Sequence, residues 1–68
     1  MATINQKLGS KIKSIRKSKR MSQEELAYQA KIDYSYLNEI ESGKRNPSVK
    51  RVAEIAKVLK VSLSSLFD

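Results

Sequence analysis

The 68-residue chain has no cysteine and no histidine. Without cysteine there is no disulfide and no thiolate metal site. Without histidine the commonest general base and the commonest zinc ligand are both missing. Proline occurs once and glycine twice, so no linker, low-complexity segment or glycine-rich phosphate loop is present. Glu24-Glu25 is the nearest thing to a carboxylate pair, and it is better explained by the favourable field at a helix N-terminus. An enzyme is therefore not expected, nor a cofactor, metal or small-molecule ligand. No apolar run approaches the roughly 20 residues that span a bilayer, and no stretch of signal-peptide length follows the N-terminal charges. A disulfide-free small domain fits a reducing cytoplasm, which is the expected location. Acidic side chains are scarce too: seven Asp and Glu stand against fourteen Lys and Arg, a net charge of +7. That balance favours a polyanionic partner through counterion release. An anionic membrane or mere solubility would account for the charge alone equally well.

What remains is a helical pattern. Ile4, Leu8, Ile12 and Ile15 recur at helical spacing over residues 4–18, with Lys7, Lys11, Lys13, Arg16 and Lys17 among the other positions and no acid in the stretch. Gly9 costs this helix about 1 kcal/mol relative to alanine and leaves its start undefined. Ser22-Gln23-Glu24-Glu25 is a capping box, with Met21 and Leu26 placed as a hydrophobic staple. The second helix thus starts at Gln23, turns Leu26, Ala27 and Ala30 inward, and stops near Lys31. Asp33 is the next N-cap candidate. A third helix follows over Tyr34 to Ser42, with Leu37 and Ile40 inward and Gly43 as its stop. The short connection between the second and third helices is that of a helix-turn-helix, about residues 22–43. After the loop Lys44-Arg45-Asn46-Pro47-Ser48, either Asn46 or Ser48 caps a fourth helix with a broad stripe of Val49, Val52, Ala53, Ile55, Ala56 and Leu59. Ser62 can cap a last short helix carrying Leu63, Leu66 and Phe67. The expectation is one domain over residues 1–68: all-α, with five short helices.

The third helix carries the chemistry. At about 100° per residue, placing Leu37 and Ile40 inward turns Ser35, Asn38, Glu39 and Ser42 outward, with Tyr34 beside them. These are hydrogen-bonding side chains suited to base edges: Asn pairs with adenine, Glu accepts from cytosine, Ser uses either kind of edge. Tyr36 is a further contact candidate, or it covers the rim of the core; Tyr28 is read as plain surface. Glu39 is the costly member, because a carboxylate near phosphates needs a donor or a cation beside it. The basic residues lie elsewhere, in the first helix and in the loop Lys44-Arg45-Asn46. That division suits proteins in which phosphate contacts position and base contacts specify. Gln23 and the free N–H groups at the start of the second helix are placed to hold a phosphate.

Three stretches in register carry a family resemblance. Ser22-Gln23-Glu24-Glu25-Leu26-Ala27 resembles the second-helix signature of the Cro/repressor (XRE-like) helix-turn-helix family. Ile40-Glu41-Ser42-Gly43-Lys44-Arg45-Asn46-Pro47-Ser48 resembles its hallmark after the recognition helix. Val61-Ser62-Leu63 with Leu66-Phe67 resembles its usual ending. The stretch Asp33-Tyr34-Ser35-Tyr36 also resembles restriction–modification controller proteins, although those often carry Arg where this chain has Tyr34. The resemblance implies a compact lambda-repressor-like domain that regulates transcription as a homodimer on a palindromic duplex-DNA operator. It further implies that Gln23 anchors the DNA backbone, that Tyr34, Ser35, Asn38 and Glu39 face the bases, and that Lys44, Arg45 and Asn46 lie along phosphates. An ion pair of Arg16 with Glu41 is implied as well. Leu63, Leu66 and Phe67 are either the dimer surface or the closure of the core. An adaptor or antitoxin-type interaction module on the same scaffold is the competing reading, and an anionic-membrane binder through the basic first helix is the remote one.

Overall fold

The computed structural model describes residues 2–67. Four α-helices run in chain order, α1 (Ile4–Ser18), α2 (Gln23–Ala30), α3 (Tyr34–Glu41) and α4 (Val49–Leu59), followed by a C-terminal 3-10 turn, Leu63–Phe67. The expected fifth helix is that turn: five residues are one to two turns of chain, too few to propagate an α-helix, and the Ser62 hydroxyl accepts the Ser65 N–H at 3.3 Å. The described residues contain no strand.

Three of the four α-helices start with a side-chain cap. Ser22 accepts the Glu25 N–H at 3.0 Å while Glu25 accepts the Ser22 N–H at 3.1 Å, completing the expected capping box. The same box opens α1, where the Thr3 hydroxyl and the Gln6 side chain exchange bonds at 3.1 and 2.9 Å; Thr3-x-x-Gln6 carries this signal in the sequence and defines the start that Gly9 obscured. Ser48, not Asn46, caps α4, its hydroxyl accepting the Arg51 N–H at 3.2 Å. Pro47 precedes that cap and is buried. Asp33 occupies the N-cap position of α3 but makes no capping hydrogen bond.

All four helices end in one motif, a residue in the left-handed region whose N–H and its successor's N–H close back onto the last turn. The closing bonds are Met21 to Arg16, Ile32 to Ala27, Lys44 to Glu39 and Val61 to Ala56, at 2.9–3.1 Å. Glycine serves only once, at Gly43; Arg20, Lys31 and Lys60 fill the other three positions with φ between 56° and 59°. A β-carbon in that region costs about 1–2 kcal/mol, borne here because the motif satisfies backbone carbonyls and turns Met21, Ile32 and Val61 back against the core.

Leu8, Ile12, Leu26, Leu37, Ile40, Val52, Ile55, Leu59 and Leu66 form a single core. Helix α1 packs on α3, α2 on both α3 and α4, and the C-terminal turn on α1 and α4. Several expected core positions lie outside it. Ile4 is 75% and Val49 is 67% exposed, and Ala53 is exposed as well. Ile4 and Val49 stand at the first position of their helices, beyond the reach of the facing elements. Gly9, read from the sequence as a weak point of the first helix, has a packing role. It lies buried inside α1, where a β-carbon would overlap the Ile40 carbonyl oxygen and come within 2.8 Å of the Glu41 carbonyl oxygen. Gly43 faces the same crossing, where a β-carbon would stand 2.6 Å from the Gln6 side chain. Both glycines of the chain thus serve the close approach of α1 to the C-terminal end of α3.

Candidate nucleic-acid interface

The turn between α2 and α3 is three residues, Lys31 to Asp33. Lys31 is left-handed and Ile32 is half-buried against the core. With Leu26, Ala27 and Ala30 buried below, and Leu37 and Ile40 buried at 0% and 1% exposure, only one face of α3 remains outward. That face presents the expected side chains: Tyr34 is 51% exposed, Ser35 and Asn38 are exposed, and Tyr36 and Glu39 are half-buried. The loop residues Lys44, Arg45 and Asn46 are exposed beside it. Of the two readings of Tyr36, the structure bears out the cover of the core rim, since its ring packs against the core; the ring also lies under the Arg45 guanidinium.

The floor of this face is a buried ion pair. Arg16 and Glu41 are 7% and 6% exposed. The guanidinium is bidentate on the carboxylate, Nε to Oε2 at 2.8 Å and Nη2 to Oε1 at 3.0 Å. Its remaining nitrogen, Nη1, donates to the Met21 carbonyl at 2.7 Å. Such a pair recovers its desolvation only when its remaining hydrogen-bonding groups are satisfied. Here they are, for no buried side-chain polar atom among the described residues lacks a partner. The pair ties α1 to the last residue of α3 and to the chain entering α2, as the resemblance implied.

From this floor a chain of bonds rises to the surface. Gln23 Nε2 donates to Glu41 Oε1 at 3.0 Å, and Gln23 Oε1 accepts from Asn38 Nδ2 at 3.3 Å. Gln23 is therefore held at both ends of its amide, half-buried at the first position of α2. The Ser22 cap satisfies the Glu25 N–H and leaves the first-turn amides of Gln23 and Glu24 outside the capping box. A second group joins Tyr36, Glu39 and Arg45: Arg45 Nε donates to Glu39 Oε1 at 3.1 Å, and the Arg45 guanidinium carbon lies 5.6 Å from the centre of the Tyr36 ring. Tyr34 and Ser35 join neither group. The pairings Gln23–Asn38 and Glu39–Arg45 are absent from the sequence reading, since each crosses from one element to another. The one sequence signal for the second was the need of Glu39 for a neighbouring cation.

This geometry has close relatives. Residues 12–66 match the helix-turn-helix family HTH_3. The chain belongs to the helix-turn-helix family. Among curated relatives, the control protein C.MunI of a Mycoplasma species is 41% identical over 69 aligned positions, covering 100% of this chain and 93% of that protein. Among solved structures, the restriction–modification controller protein C.AhdI from Aeromonas hydrophila superposes with a TM-score of 0.90 at 33% identity, over 93% of this chain and 96% of that one. The biofilm master regulator SinR, solved in complex with DNA, superposes with a TM-score of 0.85 at 40% identity, over 90% and 98% of the two chains. These relatives of the helix-turn-helix chain are regulators and controller proteins rather than enzymes. No helix among its described residues is long and apolar enough to cross a membrane.

Proposed function

We propose that the chain binds a palindromic operator in duplex DNA as a homodimer, with α3 in the major groove. At the coarser level it is a DNA-binding transcriptional regulator of the helix-turn-helix family. The observation that carries the finer reading is the Gln23–Asn38 bond above the Arg16–Glu41 pair. It sets the start of α2 and the outer face of α3 at a fixed spacing, so a phosphate bound at Gln23 fixes where α3 meets the bases. Tyr34, Ser35 and Asn38 then face base edges, with Tyr36 and Glu39 completing that surface, while Lys44 and Asn46 run along phosphates. The net charge of +7 supplies the salt-dependent, sequence-independent part of the affinity.

The second copy is assigned to the patch where Ile4 and Phe67 remain exposed at 75% and 51%. The two line one crevice with Lys7, Leu8 and Leu66. Leu66 itself is buried in the core at 1% exposure, so of the C-terminal apolar residues Phe67, not Leu66, is free to meet a partner. Selection of binding sites from a random duplex pool tests the whole reading. The expected product is a palindrome with half-sites about one helical turn apart. A folded protein that enriches no sequence would overturn it. Sedimentation equilibrium at micromolar concentration tests the dimer separately, with Phe67→Ser expected to shift the protein toward monomer.

A further inference from the structure

The resemblance places Arg45 along the phosphate backbone, but its side chain is turned back onto Glu39 and Tyr36 of α3. We propose that Arg45 reads a guanine edge in the major groove, with Glu39 and Tyr36 as the residues that position it; the inference rests on the duplex-reading function above. Tyr36 and Glu39 are three residues apart, so they share one face of α3. The Arg45 guanidinium folds back from the loop onto that face, donating through Nε to Glu39 Oε1 at 3.1 Å and lying 5.6 Å from the centre of the Tyr36 ring. The inner N–H is thereby used. Neither terminal nitrogen, Nη1 nor Nη2, has a hydrogen-bond partner among the described residues, as the only bond of this side chain is through Nε. A guanidinium held at Nε with both terminal groups free presents the two-pronged edge that matches guanine O6 and N7.

The pairing also decides between the two roles for Arg45. A phosphate anchor gains nothing from a carboxylate neighbour, which lowers its attraction for an anion. A base reader gains orientation, because the carboxylate and the ring restrict the side chain before DNA arrives. The pair is exposed, with side-chain exposures of 55% and 41%, so it adds little to stability; its contribution is direction. Glu39 gains as well: as half of a neutral unit its carboxylate can approach the phosphates without the repulsion it would meet alone. Lys44, which pairs with no carboxylate among the described residues, is left as the phosphate-facing cation of the loop.

The test compares wild-type protein with Arg45→Lys, Glu39→Gln and Lys44→Ala, each checked for an unchanged melting curve. Sites are selected from random duplexes, and affinities are then measured for single-base variants of the wild-type site. Arg45→Lys keeps the charge and loses the fork. It is expected to abolish the preference for a G·C pair at one position of each half-site, about a tenfold loss of discrimination, and to leave the other positions intact. Glu39→Gln should relax the same position, and the double variant should be no worse there than Arg45→Lys alone. Lys44→Ala should weaken all sequences by one factor. Uniform weakening by Arg45→Lys, with the wild-type palindrome retained, would overturn this inference and leave the duplex-reading function standing. Relaxation of a different position by Glu39→Gln would make Glu39 a reader and overturn its positioning role. A wild-type protein that selects no sequence removes the function itself, and this inference with it.

Discussion

The two ends of α3 are built differently. At its C-terminal end the chain spends both of its glycines, a bidentate buried ion pair and a left-handed Gly43 on holding the helix against α1. At its N-terminal end Asp33 makes no capping bond, and Tyr34 and Ser35 stand in solvent with no side-chain partner. The clamped end sets where the helix lies; the open end keeps its side chains free to answer to a ligand. A helix whose polar groups were all satisfied internally would have none left for a ligand, and one held at neither end would not hold them at a defined distance from Gln23, the proposed anchor.

The largest expected effect comes from breaking the clamp at its charge. Glu41→Ala strands Arg16 in a site where it is 7% exposed, at a cost of about 3–5 kcal/mol. A core of this size rarely supplies more than about 3–5 kcal/mol in total, so the variant should be about half unfolded or more at 25 °C by circular dichroism. A melting curve like that of wild type would show that the pair does not hold α3. Gly9→Ala is the next step down. Its β-carbon meets two carbonyl oxygens, which belong to backbone and cannot swing aside. Overpacking of about 3 kcal/mol, less the gain of about 1 kcal/mol that alanine brings to a helix, leaves about 2 kcal/mol of destabilisation. A stabilised Gly9→Ala would mean that α1 and α3 stand further apart than described.

How much of this was legible beforehand follows the same division. The helix starts at Gln23, the turn before α3, the buried Leu37 and Ile40 and the outward Tyr34, Ser35 and Asn38 follow from local pattern, because capping and helical periodicity are properties of neighbours in sequence. The Arg16–Glu41 pair was reached only through the family resemblance, as its partners are 25 residues apart. Gly9 read as a weak point because helix propensity sees one element at a time; its reason is the Ile40 carbonyl on another helix. The Gln23–Asn38 bond was not legible for that reason too, and of the Glu39–Arg45 bond only the need of Glu39 for a cation was. The ends at Lys31 and Lys60 follow from where the apolar stripes stop, but their left-handed backbone was not legible, since such a residue is announced by glycine and rarely by lysine.

At the open end the expected changes appear in binding rather than in stability. Tyr34→Ala and Ser35→Ala remove exposed side chains without partners, so each should alter the melting free energy by no more than about 0.5 kcal/mol. Each should also shift preference at a base position by about 1–3 kcal/mol, read by competition among single-base variants of the selected site. Loss of stability together with unchanged preference would place these residues with the clamp and erase the distinction.

The smallest expected effect is at Asp33, and it bears most directly on how open that end is. Asp33 has the extended backbone of an N-cap, φ −66° and ψ 142°, as Ser22 has with φ −78° and ψ 163°. Only Ser22 uses its side chain, accepting the Glu25 N–H at 3.0 Å. Ser22→Ala should therefore cost about 1 kcal/mol. Asp33→Ala should lose only the attraction of an exposed carboxylate to the helix N-terminus, about 0.3 kcal/mol and screened by salt. Paired chemical denaturation of the two variants at low and high salt separates these cases. Equal costs at both salt concentrations would mean that Asp33 closes a cap in solution and that the start of α3 is held as firmly as the start of α2. A small, salt-sensitive cost leaves the first turn of α3 with backbone N–H groups unclaimed by its own N-cap, beside the very side chains proposed to meet the bases.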